Sequence, residues 1–329
     1  MDSADPSKVI PNAVFEIKSV AGDYGPEEFT TDENGEINLS HLPAGAYVVT
    51  EKSCLGYIID EAQRIIQLDP NEDAQFVFTN SIKPSFQLIK LSADGSRLAG
   101  VTFRIARIED GSHYLDRTTN AQGEILIADL EPGVYSVRET ATVADHILDP
   151  TEYHVELFPG QTSTITIQND KRPTLTIRKT DKDTGNPIPG VIFTLNYADG
   201  PTITTEPTGE DGTVTIKNLL PGVYTVTEQS VPEGYILDTA PQQVTLEPNR
   251  DATVQFQNYK RPTLTIHKVD INGNALTGAT FEVKTKAGVK IGDFPVGQDG
   301  SITVENIHLE EGYYIVTEIQ APDGYILDS

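Results

Sequence analysis

The segment PGVYTVTEQSVPEGYILD, residues 221–238, decides the fold, because variants of it recur along the chain. They stand at AGAYVVTEKSCLGYIID (44–60), PGVYSVRETATVADHILD (132–149) and EGYYIVTEIQAPDGYILD (311–328). Within it Tyr224, Val226 and Glu228 alternate with Thr225 and Thr227, the period of two that marks a β-strand. The Pro and Gly residues on either side supply the turns. Two further blocks travel with this one. The first reads FQLIKLSADG (86–95), LTIRKTDKDTG (175–185) and LTIHKVDING (264–273). The second reads AQFVFTN (74–80), STITIQN (163–169) and ATVQFQN (252–258), and both blocks recur every 89 residues. The 329-residue chain is therefore a tandem array of four copies.

Short proline-bearing junctions, NSIKPSF (80–86), NDKRPTL (169–175) and NYKRPTL (258–264), separate the copies. They place domains at 1–81, 82–170, 171–259 and 260–329. Linkers this short and stiff predict a semi-rigid rod. No segment sustains a helical period, so the expected fold class is all-β, with tandem β-sandwiches.

Composition narrows the function. Asp and Glu number 49 against 24 Lys and Arg, a formal charge of −25. Such a surface repels nucleic acid and anionic membranes, so neither is an expected partner. No apolar run is long enough to span a bilayer. The single cysteine, Cys54, cannot form an internal disulfide and reads as an unpaired thiol. His41, His113, His146, His154, His267 and His308 fall at unlike positions, so no metal site is expected. DKDTGN (181–186) lacks the downstream Glu of a calcium loop and reads as a hairpin turn. No phosphate loop, nucleophile elbow or Ser/His/Asp grouping stands out. Neither a cofactor nor turnover catalysis is expected.

Strand parity singles out three polar residues. Leu175, Ile177 and Lys179 share one face; so do Tyr224, Val226 and Glu228, and Val254, Phe256 and Asn258. The second copy repeats the layout with Leu88 and Lys90, with Tyr135, Val137 and Glu139, and with Ile165, Ile167 and Asn169. Each of these copies thus aims a Lys, a Glu and an Asn inward, where unpaired groups cost several kcal/mol. One reaction accounts for all three. A desolvated Lys loses its proton and becomes a nucleophile. The Glu hydrogen-bonds the Asn amide and shuttles protons. The amine attacks the amide carbonyl, ammonia leaves, and an amide crosslink remains.

These residues also carry a family likeness. The Leu-x-Ile-x-Lys strand, the Gly-x-Tyr-x-Val-x-Glu strand with its Gly-Tyr-Ile-Leu-Asp sequel, and the closing strand ending in Asn resemble Cna B-type domains. These are the SpaA-like, prealbumin-fold modules of Gram-positive adhesins and pilins. The resemblance implies reversed immunoglobulin-like sandwiches and spontaneous isopeptide bonds, Lys90 with Asn169 and Lys179 with Asn258, promoted by Glu139 and Glu228. It implies a stalk or spacer on an extracellular, wall-anchored surface, with the anchor outside this sequence and neighbouring repeats as partners. The competing reading is an adhesin module whose loops bind a host protein or glycan.

The outer copies hold incomplete sets. The first has Glu51 and Asn80, with Met1 aligned to the strand lysine and Lys8 aligned to the loop residue Asn186. The fourth has Lys268 and Glu318 but no Asn strand before Ser329. Neither is expected to crosslink within itself; linking Lys268 of one molecule to Asn80 of another is a remote alternative. The second copy has ATVADHIL where the others have a Gly-Tyr turn, so a differently shaped loop is expected there.

Overall fold

A computed structural model describes residues 1–70, 72–109, 111, 114–198, 200–304 and 313–327. His113 and His308 lie outside the described residues. The chain divides into two compact units, Met1–Lys171 and Arg172–Ser329. Every regular element among the described residues is a β-strand, as the alternation predicts.

The second copy shows the full design. Ser85–Ser92 is the centre of a three-stranded sheet, with Glu124–Ile127 antiparallel on one side and Thr162–Asn169 parallel on the other. Facing it is a four-stranded antiparallel sheet in the order Glu152–Leu157, Gly133–Ala141, Thr102–Arg107 and Tyr114–Thr118. The first and last strands of the copy are therefore parallel neighbours. The third copy repeats this: Leu175–Asp181 lies between Thr213–Ile216 and Ala252–Asn258, the latter again parallel. Phe86, Leu88, Val101, Phe103, Ile105, Val137 and Ile167 fill the space between the sheets of the second copy, all buried. Leu175, Ile177, Phe193, Leu195, Val226 and Phe256 do so in the third.

The outer copies keep the larger sheet and less of the smaller one. In the first, Val14–Ser19 and Gly45–Ser53 pair at the centre of a four-stranded sheet. Its AQFVFTN block, read as a closing strand, is not one: residues 72–79 are irregular, and Asn80 makes a single bridge to Asp2. A strand persists only where a neighbour takes its backbone hydrogen bonds, and the parallel pairing that runs along the closing strand of the complete copies is here reduced to that bridge. In the fourth, Leu264–His267 pairs with Ser301–Val304, and Thr280–Thr285 lies between Lys290–Pro295 and Tyr314–Gln320.

Two side-chain devices recur that the strand pattern does not announce. A buried threonine hydroxyl clips the entry loop of the first three copies. Thr119 Oγ1 donates to the Leu98 carbonyl and accepts from the Val101 amide, at 2.9 and 3.0 Å. Thr31 and Thr208 do the same between Ile10 and Ala13 and between Ile188 and Val191. A tyrosine hydroxyl also donates to a carbonyl four residues back: Tyr47 to Pro43, Tyr135 to Glu131, Tyr224 to Leu220. Thr119→Val keeps the shape but strands a buried amide and a buried carbonyl. The expected cost is about 1–3 kcal/mol, seen as a lower urea midpoint with an unchanged m-value.

Candidate crosslinking site

The inner face of the first strand delivers the lysine. In Ser85–Ser92 every second residue is buried, so Lys90 follows Phe86 and Leu88 into the core and is 0% exposed; Lys179 is likewise 0% exposed. The glutamate comes from the middle strand of the opposite sheet, where each copy has a β-bulge. Glu139 pairs with Phe103, but the next pair is Ala141 with Thr102, leaving Thr140 unmatched. The same skip follows Glu51, Glu228 and Glu318. The bulge re-aims the chain beyond the glutamate towards the turn that closes this end of the sandwich. The asparagine ends the last strand, facing inward next to the first strand.

In the second copy Lys90 Nζ donates to Asn169 Oδ1 at 2.5 Å and lies 3.0 Å from Glu139 Oε2. Asn169 Nδ2 donates to Glu139 Oε1 at 2.6 Å. In the third, Lys179 Nζ donates to Asn258 Oδ1 and meets Glu228 Oε1 at 2.6 Å, while Asn258 Nδ2 donates to Glu228 Oε2 at 2.8 Å. Each triad closes on itself through two hydrogen bonds and one ion pair inside a hydrophobic core. Burial pushes each lysine below the ordinary ammonium value; Glu139 and Asp149, or Glu228 and Asp238, pull it partly back. Phe103 lies under the Lys90 ammonium, 5.5 Å away, and Phe193 packs on Phe256 with ring centres 5.0 Å apart. The arrangement presents an amine to an amide carbonyl, with one carboxylate touching both.

The incomplete sets are also assembled as far as they go. Asn80 Nδ2 donates to both Glu51 oxygens, at 2.9 and 2.7 Å, and to the Ile58 carbonyl. Lys268 Nζ lies 2.9 Å from Glu318 Oε1. The alignment of Met1 with the lysines is off by one. Asp2 bridges Asn80 as Ser92 and Asp181 pair with Asn169 and Asn258, so Met1 stands where Leu91 and Thr180 do. The entry loop closed by Asp2 and Lys8 is one residue longer than the third copy's, closed by Asp181 and Asn186, and two longer than the second's, closed by Ser92 and Ser96. Lys8 does take the place of Asn186, and it reaches outward to Asp2 and the Tyr57 ring.

The second copy contains a grouping that the sequence reading passed over. His146 Nε2 is 3.0 Å from Ser92 Oγ, and His146 Nδ1 is 2.9 Å from Asp145 Oδ1. The order resembles a serine nucleophile relay, but Ser92 is 0% exposed and out of a substrate's reach. It replaces the Tyr57–Asp2 contact of the first copy and the Tyr235–Asp181 contact of the third. The signal was the paired change, Asp to Ser on one strand and Tyr to His in the turn. The turn itself keeps its closing bond, His146 amide to Val143 carbonyl, as Tyr57, Tyr235 and Tyr325 keep theirs. Its backbone type differs: Gly56, Gly234 and Gly324 have φ of 78°, 90° and 84°, whereas Asp145 is not among the positive-φ residues.

DKDTGN is a hairpin turn: Asp181 Oδ1 accepts from the Asp183 and Thr184 amides, and Thr180 bridges Pro187. Among the described residues no His, Cys, Asp or Glu group is arranged to hold a metal, and no helix is long and apolar enough to cross a membrane. Cys54 is buried, and burial pushes its thiol up to about 11.

Sandwiches whose first and last strands pair in parallel, repeated in tandem, define a class of module, and comparison with known proteins identifies it. The SpaA family, described as a prealbumin-like fold domain, matches residues 2–82, 84–171, 173–260 and 262–329. The chain belongs to this family. It is 24% identical over 246 residues to Colossin-A of Dictyostelium discoideum, which covers 62% of the chain but only 2% of Colossin-A. Among solved structures it is similar to the Bacillus anthracis TIE protein, with 21% identity over 98% of this chain and 65% of that one, at a TM-score of 0.34. The shaft pilin spaA of Lactobacillus rhamnosus GG is 15% identical over 55% of this chain and 98% of its own, at a TM-score of 0.38.

Proposed function

We propose that this chain is part of the stalk of an extracellular bacterial adhesin or pilus protein, and that its second and third copies staple themselves. The domains run 1–81, 82–170, 171–259 and 260–329, and the protein stands at the wall of a Gram-positive cell. The observation that carries the reading is the doubled buried triad, with the amine of Lys90 and of Lys179 on the side-chain carbonyl of Asn169 and of Asn258. Family membership supports the architecture.

In the second copy Glu139 takes a proton from the Lys90 ammonium through Oε2, and the freed amine forms a bond to Asn169 Cγ. A proton passes from Glu139 to Nδ2, the Cγ–Nδ2 bond breaks, and the nitrogen departs as ammonia. The remaining surplus amine proton goes to Glu139, leaving a secondary amide. Glu228 does the same for Lys179 and Asn258. Each site reacts once, so the chemistry builds the protein and turns nothing over. Intact-mass spectrometry tests it. The chain is expected about 34 Da lighter than its sequence, about 17 Da per ammonia lost, with the crosslinks mapping to these two pairs. A mass equal to that of the sequence refutes the reading.

A further inference from the structure

We propose that Thr142 holds the departing nitrogen of Asn169 and thereby sets the rate of the second copy's crosslink, an inference that rests on the reaction assigned above. The Asn169 Nδ2 carries two hydrogens. One is taken by Glu139 Oε1 at 2.6 Å, the other by Thr142 Oγ1 at 2.9 Å. With both donors engaged the amide is held against a half-turn, which would put its nitrogen where its carbonyl oxygen now faces Lys90 Nζ at 2.5 Å. A flipped amide would set two donors against each other and swing the oxygen onto the carboxylate. Lys90 and Glu139 therefore select the one orientation in which lysine meets a carbonyl and carboxylate meets a leaving group, and Thr142, accepting from the second Nδ2 hydrogen, holds the nitrogen in it. The contact also survives bond formation, because Nδ2 still bears hydrogen as it becomes the leaving amine.

The residue is specific to this copy. Thr142 lies just past the bulge that follows Glu139, on the turn leading to His146. Val231 takes that position in the third copy and Cys54 in the first; a valine side chain accepts no hydrogen bond. In the first copy the Ile58 carbonyl is a further acceptor for Asn80 Nδ2, at 2.9 Å. The fold thus offers this nitrogen a partner beyond the glutamate in more than one way, and in the second copy a hydroxyl does it.

The test uses the full chain made by pulse-labelled cell-free synthesis, with the Lys90–Asn169 and Lys179–Asn258 peptides followed by mass against time. The third copy is the internal clock. Thr142→Val is isosteric, and the third copy already carries valine there. It is expected to slow the second crosslink about tenfold relative to the third, the effect of one neutral hydrogen bond, while Thr142→Ser stays within about twofold of the parent. A parent-like rate in Thr142→Val overturns the inference and leaves the crosslink reading standing. So does a Thr142→Ser chain as slow as Thr142→Val, since the methyl group rather than the hydroxyl would then matter. A parent chain that never loses ammonia from the second copy overturns both.

Discussion

Glu228→Ala is expected to leave the third copy unlinked, raising the chain's mass by about 17 Da beyond the change of side chain, because ammonia is retained. Among the described residues Glu228 is the carboxylate that both pairs with Lys179 and accepts from Asn258, and it also accepts from the Asp238 amide. Without it the lysine has no proton acceptor and the amide nitrogen no proton donor. The thermal effect is correspondingly large. Releasing a link that closes 79 residues costs about 4–5 kcal/mol on the chain-entropy account. At about 4 °C or more per kcal/mol for a domain of this size, the transition of this copy falls by on the order of 20 °C. Calorimetry alongside intact mass checks it, and the second copy's crosslink serves as the control. An unshifted transition in a chain that has regained ammonia would sink the stabilising role while keeping the chemistry.

Lys90→Arg separates charge from nucleophilicity. A guanidinium can pair with Glu139, but it stays protonated and cannot attack Asn169. The variant is expected to lose the second crosslink completely while the third forms normally. It also places a larger, permanently charged group where Lys90 is 0% exposed and packed over Phe103. Destabilisation of several kcal/mol follows from the lost link and the buried charge together. A crosslinked peptide containing position 90 in this variant would refute the amine mechanism. Burial lowers the Lys90 value, which eases the hand-over of its proton to Glu139 in the parent chain.

Much of this was legible because strands have a period of two. Leu88 with Lys90, Val137 with Glu139 and Ile167 with Asn169 share inner faces for no reason beyond alternation, and the sequence repeats that logic in two copies. What alternation cannot express is contact between residues far apart in the chain or a change of register. The bulge after each glutamate has no composition of its own, since Thr140, Gln229, Lys52 and Ile319 have nothing in common. The Thr142 contact with Asn169 and the Ser92 contact with His146 both depend on where the closing turn lands. The misplacement of Met1 has a similar origin: counting residues back from Asn80 assumes that the loops between keep their lengths, and the entry loop alone differs among the first three copies. Pairing decides register, and spacing only approximates it.

The parallel pairing of first and last strands in the second and third copies has a consequence for what a protease can do. Once Lys90 is joined to Asn169, the chain between them is a closed ring, and the two flanking segments meet at the link rather than at the ends of a loop. A single cut inside the ring, for instance at the exposed Asn120–Gln122 turn, opens it without separating anything upstream from anything downstream. Two cuts in one ring would excise a fragment and still leave the flanks joined through the amide. Only cleavage outside the rings severs the chain, which leaves the proline-bearing junctions and the unlinked first and fourth copies as its vulnerable parts.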